Sequence, residues 1–346
     1  MNRAELERVL EGWGEPAYRA RQAADARRAG AADWDEVTAF PLDLRRRLGE
    51  RLPFRSMRPV GEAVSADGTV KWALRAPDGV AVETVLIAHA AGRRTVCLSS
   101  QAGCALGCRF CATGAMGPGR DLTADEIVEQ ALLARTRAEA AGARLTNVVF
   151  MGMGEPLQNA DAVLAACDEL SDRAEGLGIS SRRIAISTVG WVPGIARLAR
   201  HPARLRLAVS LHAADDATRA ALMPINHRYP IANLMAACRR YCDTTGRRVF
   251  IEYLLLDGVN DAPADARRLA SLLRDGRFHV NLIEYNPTAG PDRASPPERR
   301  SAFQRALRGA GIEASVRHSR GADVAAACGQ LALDRQTVQA ARPALK

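Results

Sequence analysis

The sequence predicts an α/β fold in which a partial, open βα barrel follows a short helical segment and a β-hairpin. From about residue 94, apolar β-branched runs alternate with helical stretches, as in parallel strands joined by helices. Residues before 53 have helical spacing, and an Asp-Gly turn then separates two β-rich runs. We therefore expect a helical accessory domain at 1–52, a β-hairpin linker at 53–93 and the barrel at 94–346.

The amino-terminal part is predicted to be helical and basic. "RAELERVLEGWG" and "AYRARQAADARRAG" carry apolar residues at helical spacing, and the Gly and Pro of "GWGEP" separate them. Arginines are dense in "DLRRRLGERLPFRSMR", and the whole chain has a formal charge of +9. This charge agrees with a polyanionic partner such as RNA, but a solvated basic helix face would give the same pattern.

The barrel prediction depends on seven strand candidates, which are fewer than the eight strands of a closed barrel. The first long helix, "LTADEIVEQALLARTRAEA", starts with Thr123 and Glu126 at capping-box spacing. Polar motifs follow several strands, so we expect the active site at the carboxyl ends of the strands. The candidates are "RTVCLSS", "LTNVVFMGMG", "RRIAISTVG", "RLRLAVSLHA", "RVFIEYLLLD", "HVNLIEYNP" and "EASVRHSRG".

The chain lacks an apolar run of membrane-spanning length, and its amino terminus is charged where a signal peptide would be apolar. We therefore expect a cytoplasmic protein that does not enter a membrane. In that reducing compartment the eight cysteines are expected to be thiols. Clustered thiols would then be metal ligands or reactive groups rather than a disulfide framework.

Three of these cysteines, Cys104, Cys108 and Cys111, are crowded into "SSQAGCALGCRFCATG". A structural zinc site needs four ligands, commonly two C-x-x-C pairs, and this spacing does not provide them. Cys238 and Cys242 could share a helix face, but "ANLMAACRRYC" is better explained by core packing. Three thiolates can instead bind three irons of a [4Fe–4S] cluster and leave the fourth iron open to an external ligand.

The C-x-x-x-C-x-x-C spacing resembles the signature of radical S-adenosylmethionine (SAM) enzymes. In that superfamily the open iron chelates SAM, and an electron donated to the sulfonium releases a 5′-deoxyadenosyl radical. "MGMGEP" follows the second barrel strand, where the resemblance places a glycine-rich strand end that accepts the SAM amino group. We therefore expect Gly154 and Glu155 to contact SAM, with the carboxylate strengthening the contact to the ammonium.

Three further strand ends carry polar groups suited to the ribose and methionyl parts of SAM. "ISTVG" supplies Ser187, "AVSLH" supplies Ser210, Leu211 and His212, and "EYNPT" supplies Asn286. Taken singly, each of these polar residues could be an ordinary helix cap or turn former. Their repetition at successive strand ends favours a ligand site.

Two other cysteines have an ordinary explanation as small buried hydrophobic residues. Cys97 lies in the strand that leads to the cysteine triplet, and Cys328 lies among alanines in "RGADVAAACGQLA". Together with "VCLSSQAGCALGCRFCATG", "NVVFMGMGEPLQN", "AISTVG", "AVSLHA" and "LMPIN", this segment resembles the RlmN/Cfr family of radical SAM RNA adenine methyltransferases. "GEPAYRARQ" is similar to the accessory domain of that family, so the resemblance covers nearly the whole chain and implies an RNA-binding accessory domain.

The resemblance implies a mechanism that consumes two SAM molecules and uses one [4Fe–4S] cluster. The first SAM would methylate Cys328, and the second would yield the radical that removes hydrogen from the S-methyl group. The resulting methylene radical would add to an adenine carbon, giving a covalent RNA adduct. Cys97 would then resolve the adduct through a transient disulfide with Cys328, and Glu83 in "VETVLIA" matches the position of the proton acceptor.

The family divides by the adenine carbon that is methylated. "GMGEPL" and "RGADVAAACGQLA" are similar to the branch that methylates C2 of an adenosine in 23S rRNA, at the peptidyl transferase centre. Some members of that branch also modify the adenosine next to the tRNA anticodon. "LMPINHRYPI" also occurs in similar form in the Cfr-type branch, which methylates C8 and confers antibiotic resistance.

The resemblance further implies an external, flavodoxin-like electron donor, and we expect a monomer. Two alternatives remain at this point. One is another radical SAM reaction, in which Cys97 and Cys328 are ordinary core thiols. The other is a noncatalytic RNA-binding protein whose iron–sulfur cluster only stabilises the fold.

Overall fold

A computed structural model describes residues 3–89, 92–274 and 276–333. Within these ranges ten strands form one sheet, in which the spatial order follows the order along the chain. The strands are β1 (Arg58–Val64), β2 (Val70–Arg75), β3 (Ala81–Ala88), β4 (Arg94–Cys97), β5 (Leu145–Phe150), β6 (Ile184–Thr188), β7 (Arg206–Ser210), β8 (Val249–Leu255), β9 (Phe278–Glu284) and β10 (Ala314–Arg317). The helices are α1 (Arg3–Gly12), α2 (Tyr18–Ala29), α3 (Leu42–Arg51), α4 (Ala112–Ala115), α5 (Ala124–Ala140), α6 (Ala160–Ser171), α7 (Val192–Arg200), α8 (Asp216–Leu222), α9 (Ile231–Thr245), α10 (Pro263–Leu273) and α11 (Pro297–Gly309).

The seven strands from β4 to β10 are parallel, and each pairs with the next one along the chain. Each of the seven strand candidates contains one of them. The two outermost strands of the described sheet, β1 and β10, do not pair with each other, so the barrel is not closed. The prediction of an α/β fold with an open βα barrel is confirmed.

The hairpin predicted around Asp78 and Gly79 is present as β2 and β3. The sequence did not predict β1, an edge strand that pairs with β2 and shifts register between Pro59 and Gly61. Most of its residues are at least partly exposed, so it lacks the apolar alternation that identifies a strand. Because β3 also pairs with β4, the antiparallel strands continue the barrel sheet, with Val85 opposite Cys97.

The three amino-terminal helices enclose a small apolar cluster of their own. Leu6, Leu10 and Leu48 are fully buried or nearly so. Trp34 lies beside them, and its indole Nε1 donates a hydrogen bond to the Leu52 carbonyl at 2.7 Å. The helical prediction for this segment is therefore confirmed, while its division from the rest of the chain as a domain remains a prediction. Across the described residues, no helix is both long and apolar enough to cross a membrane.

The start of α5 is set by the predicted capping box. The Glu126 backbone N–H donates to Thr123 Oγ1 at 3.2 Å, and the Thr123 N–H donates to Glu126 Oε2 at 2.8 Å. These reciprocal bonds satisfy backbone donors that the first turn of a helix leaves without partners. Arg120 also binds the Glu126 carboxylate at 2.7 Å. The loop that carries the cysteine triplet is thereby tied to the barrel at its downstream end.

A buried ion-pair network joins the amino-terminal helices to the barrel. Glu129 of α5 is 3% exposed and binds Arg27 at 2.9 Å and Arg55 at 2.5 Å. Arg27 of α2 also contacts Asp125 at 3.3 Å. A buried charge that loses its partner strongly lowers the free energy of unfolding, so these ion pairs are expected to stabilise the contact between the helices and the barrel.

Glu129→Gln is therefore expected to lower the free energy of unfolding by about 3 kcal/mol, since the buried Arg27 and the half-buried Arg55 lose their common carboxylate. Urea unfolding followed by circular dichroism measures this change. The matched control is Glu139→Gln, which removes the more exposed pair with Arg135 and should alter stability by less than about 0.5 kcal/mol. Equal effects of the two variants would contradict the structural role of the network.

Candidate active site

The cysteine triplet lies on a tightly folded loop directly after β4. A side chain at Gly103, whose φ is +137°, would meet the Gly117 carbonyl oxygen at 2.7 Å. The Cys104 N–H donates to that same oxygen at 2.8 Å. Glycine is therefore required where the loop crosses itself. The crossing fixes the backbone at the first of the three thiols.

The three thiols of Cys104, Cys108 and Cys111 line one cavity at the carboxyl ends of the strands. Burial is the main cause that raises the pKa of Cys104 to about 11, and its Cys111 neighbour contributes to that rise. Burial also raises the pKa of Cys108, as do the two other thiols. In the described ranges, no three His, Cys, Asp or Glu side chains converge on a point where they could hold one single metal ion. The triplet thus surrounds a space rather than forming a closed cage.

We call this space the first cavity, and several predicted SAM contacts lie in its wall. Ser187 of β6, Ser210 of β7 and His212 line it together with Gly154 and Glu155. Leu211 is fully buried and is not part of the lining. Asn286 lies in a different cavity, described below. The structure therefore places five of the seven residues expected to contact SAM in the lining of the first cavity.

Glu155 is buried and held by backbone amides. Its carboxylate accepts hydrogen bonds from the Leu157 N–H at 3.0 Å and the Val189 N–H at 2.9 Å. Burial raises the pKa of Glu155 to about 7 despite these bonds. The carboxylate therefore links the end of β5 to the loop after β6. A cationic ligand group in the first cavity would favour its ionised form.

His212 is held in a fixed tautomer. Its backbone has a φ of +57°, which is uncommon for a residue other than glycine. Nδ1 accepts a hydrogen bond from the Leu254 N–H at 3.0 Å, so the proton of the neutral ring is on Nε2. Burial and the charge of Arg219 lower the pKa of His212 to about 3. The ring packs edge-on against Phe110, with centroids 4.8 Å apart.

Arg219 of α8 is a fully buried cation that sequence analysis missed. Its guanidinium donates to the carbonyls of Val189 at 2.6 Å, Leu211 at 3.2 Å and Ser210 at 3.4 Å. It also donates to Asn226 Oδ1 in "LMPIN" at 2.8 Å. Burial lowers the pKa of Arg219 to about 10, which still leaves it charged at neutral pH. One side chain thus fixes the loops after β6 and β7.

A second cavity lies on the other side of a shared wall. Cys97, at the end of β4, lines the second cavity only, whereas Cys328 lines both cavities. The Cys328 residue is exposed, while Cys97 is buried. Burial is the main cause that raises the pKa of Cys97, and Cys328 adds to it. The two cysteines that the sequence could explain as core residues are therefore neighbours, and one of them faces both cavities.

The segment around Cys328 is anchored to the cysteine loop and to β9. Asn286 Nδ2 donates to the Cys328 carbonyl at 3.1 Å. The Ala112 N–H, next to Cys111, donates to the Gly329 carbonyl at 2.8 Å. Asn286 thus positions the backbone of Cys328, and its expected contact with SAM stays a prediction. The bond to Cys328 had no signal in the sequence, because the partner lies 42 residues away.

Glu83 of β3 lies outside the lining of both cavities. Its Oε1 forms an ion pair with Lys71 Nζ at 3.0 Å, and the same ammonium donates to the Ala325 carbonyl at 3.2 Å. The structure thus brings Glu83 near the segment that carries Cys328 without placing it in the cavity wall. Lys71 was not identified from the sequence.

Comparison with known proteins identifies the family. Residues 98–273 match the Radical SAM superfamily. A dual-specificity RNA methyltransferase RlmN of Anaeromyxobacter sp. strain Fw109-5 is 47% identical over 98% of this chain and 91% of its own. A probable dual-specificity RNA methyltransferase RlmN of Moorella thermoacetica is 50% identical over 94% of each chain. The chain belongs to the RlmN family of radical SAM RNA methyltransferases.

A solved structure agrees with this membership. The crystal structure of a radical SAM methyltransferase from Sphaerobacter thermophilus has 51% sequence identity and a TM-score of 0.91. The alignment covers 96% of this chain and 97% of that one. Over the aligned part of the described residues, the fold is therefore that of a radical SAM methyltransferase.

RlmN-family membership implies a [4Fe–4S] cluster and SAM, and the donors of the first cavity fit both groups. The three thiols of the cysteine loop suit a cluster with one open iron, and the fourth thiol of the lining, Cys328, belongs to a separate segment. The charge of Arg219 acts on Cys108, so a cation lies close to where thiolates would gather. Glu155, Ser187 and Ser210 supply polar groups in the same lining.

Two charged residues in or near this RlmN-family site, one buried and one half-buried, have a signal in the sequence. Glu252 in "RVFIEYLLLD" and Lys71 in "GTVKWALR" each interrupt an otherwise apolar strand. A charged residue inside a buried strand needs a partner, so it is a candidate site residue. Arg219 had no comparable signal, because "DDATRAAL" has the composition of an exposed helix.

Cys108→Ala is expected to reduce bound iron, after anaerobic reconstitution, from about four atoms per chain to less than one, because a thiolate ligand is lost. Iron and sulfide analysis with visible absorption measures the effect. Cys238→Ala is the matched control, since that thiol is buried in the barrel core. Full iron content in the Cys108 variant would show that this residue is not a ligand.

Arg219→Lys is expected to lower the free energy of unfolding by about 3 kcal/mol and to weaken SAM binding. A lysine has three donors on one atom and cannot span the separated carbonyls of two loops. Calorimetric titration with SAM and urea unfolding measure the two effects. Arg197→Lys, at an exposed pair with Asp161, should change neither. A stable variant that binds SAM normally would refute the positioning role.

Proposed function

We propose that this RlmN-family protein methylates the C2 carbon of adenosine in 23S rRNA, at the peptidyl transferase centre, and in tRNA next to the anticodon. The observation that carries the proposal is the position of Cys328 in the wall between two cavities. One cavity contains the cysteine triplet and the other contains Cys97. A group carried on the Cys328 sulfur is therefore accessible from both sides.

The first cavity would hold the cofactors. Cys104, Cys108 and Cys111 would bind three irons of one [4Fe–4S] cluster, while Gly154 and Glu155 would receive the amino group of SAM. The serines of β6 and β7 and His212 would contact the rest of that molecule. When bound, the cluster and two SAM molecules per turnover supply methyl transfer and hydrogen-atom abstraction. Leu211 contributes indirectly, because its carbonyl is one of the acceptors that hold Arg219.

The second cavity would receive the RNA. Its lining includes Arg93, Arg206, Arg317 and Arg320. Burial and several of the neighbouring arginines lower the pKa of His89 to about 4, which indicates a strongly positive environment. Positive charge attracts the phosphate backbone independently of sequence. The target adenine would have to leave its stack to reach Cys328.

Cys328 would carry the methyl group as S-methylcysteine and form the covalent adduct with RNA. Cys97 would resolve that adduct through a transient disulfide, for which its place beside Cys328 is suitable. Glu83 would accept the proton that leaves the adenine. Glu83 lies outside the lining of both cavities and forms an ion pair with Lys71. The proton would therefore reach Glu83 through intervening groups rather than by direct contact with the adenine.

The other components of the proposal follow from the family. A radical SAM enzyme needs an electron for each SAM that it cleaves, and we propose an external, flavodoxin-like donor. We further propose that the protein acts in the cytoplasm as a monomer, where its RNA substrates are found.

The decisive experiment combines nucleoside mass spectrometry with substitution of Cys328. Reconstituted protein is incubated without oxygen with a reductant, methyl-labelled SAM and either protein-free 23S rRNA or tRNA. We expect 2-methyladenosine from both RNAs. Cys328→Ala should lower the yield at least about 1000-fold, because the carrier of the methyl group is lost. Cys242→Ala, a substitution in the barrel core, should retain activity.

Several results would contradict the proposal. A methyl group on C8 would assign the protein to the Cfr-type branch, and one on an exocyclic nitrogen or a ribose oxygen would exclude the radical route. Retained methylation by the Cys328 variant would indicate a different radical SAM reaction. Absence of 5′-deoxyadenosine from the wild-type reaction would favour the noncatalytic iron–sulfur protein.

A further inference from the structure

We propose that Glu252 of β8 is the proton acceptor that converts the Cys328 thiol into the thiolate that takes a methyl group. This inference rests on the proposed function, since it assigns a residue to the first methyl transfer. The proposed function gave a proton acceptor for the adenine, Glu83, but none for the thiol.

The position of Glu252 is the first argument. Four residues line both cavities and so form their shared wall: Met151, Glu252, Ile283 and Cys328. Two of these are apolar, so within the described lining Glu252 is the ionisable partner of Cys328 in that wall. The charge of Glu252 also acts on the Cys328 thiol, and more strongly than that of Cys111.

The need for a base is the second argument. Desolvation of the sulfur by the surrounding protein, Glu252 and Cys111 together raise the pKa of Cys328 to about 11, although the residue as a whole is exposed. At neutral pH the free thiolate is therefore scarce, although only the thiolate is an effective nucleophile. The two nearby thiols cannot serve as the base, because Cys111 would be a cluster ligand and burial also raises the pKa of Cys97.

The environment of the carboxylate is the third argument. Glu252 is 6% exposed, and its Oε1 accepts a hydrogen bond from Asn281 Nδ2 at 2.8 Å. Asn281 Oδ1 in turn accepts from Arg317 Nε at 3.0 Å, so the amide orientation is fixed. Burial raises the pKa of Glu252 to about 7. A carboxylate with that pKa is suited to accept a proton near neutral pH.

The step balances without any further reagent. The thiol proton of Cys328 moves to the Glu252 carboxylate, which becomes a neutral acid. The sulfur lone pair forms the new bond to the sulfonium methyl group of SAM. The bond from that methyl group to the sulfonium breaks, and its electrons remain on the leaving sulfur as a neutral thioether. Because Glu252 becomes neutral as the thiolate forms, two adjacent negative charges are avoided.

The test compares two rates at the same sulfur in Glu252→Gln. The first is transfer of a trideuteromethyl group from labelled SAM to Cys328 in reconstituted holoenzyme without reductant. The second is alkylation of Cys328 by iodoacetamide. Peptide mass spectrometry measures both rates. Each rate is divided by the amount of Cys328 that is unmethylated at the start. Glu313→Gln, on the exposed surface, is the matched control, and Glu252→Asp restores a carboxylate.

The two rates are expected to change in opposite directions. Methyl transfer should fall at least about 100-fold, because the base is lost. Alkylation is measured without SAM, so that water in the cavities can take the proton. It should become faster, because removing the carboxylate charge lowers the pKa of the thiol. Glu252→Asp should recover part of the methyl transfer, and the control should resemble the wild type.

Other outcomes overturn the inference. Unchanged methyl transfer in Glu252→Gln would show that the thiol has another base. Changes of both rates in the same direction would show that Glu252 only sets the packing or the field around the thiol. Normal labelling of Cys328 with defective RNA methylation would assign Glu252 to substrate recognition instead. No label on wild-type Cys328 would overturn the proposed function itself, and this inference with it.

Discussion

The parallel pairing of β4 to β10 is the constraint on which the rest of the structure depends. Parallel strands joined by helices place all their carboxyl ends at one edge of the sheet. The cysteine loop after β4, the Gly154–Glu155 loop after β5 and the serines of β6 and β7 meet there for that reason. Residues from 104 to 329 of the chain therefore line one cavity, although they are far apart in the sequence.

Buried charges then hold the loops that the strands have brought together. Glu155 accepts backbone N–H groups from two loops, and Arg219 donates to backbone carbonyls of two loops. The free energy of removing a charge from water is offset only when its hydrogen bonds are complete. Such a network has little freedom to rearrange, so the positions of the loop backbones are set before any ligand binds.

Local patterns were sufficient to predict most of the fold. Seven apolar runs identified the parallel strands, and Thr123 with Glu126 identified the start of α5, because in each case the signal lies within a few residues. β1 escaped prediction because an exposed edge strand lacks an apolar period. The continuity of the hairpin with the barrel was also missed, since pairing between β3 and β4 has no local signature.

The candidate site was predictable where residue type alone limits the chemistry. The cysteine triplet and the glycine-rich strand end belong to this class. The hydrogen bonds of Asn286 and Arg219 do not, because their partners lie at Cys328 and Val189, 42 and 30 residues away. Glu252 and Glu83 occupy similar apolar strands, yet only the pattern of contacts shows that one lines both cavities and the other binds Lys71.

The anchoring of the Cys328 segment has a consequence for how the protein is made. Thr113 Oγ1 donates to the Leu331 carbonyl at 2.5 Å, across 218 residues of sequence. A chain grows from its amino terminus, so the cysteine loop leaves the ribosome long before its partner does. Cys328 can reach the wall of the first cavity only after synthesis has passed residue 331. Until then Thr113 and Ala112 of the cysteine loop lack the two carbonyl groups to which they donate in the folded protein.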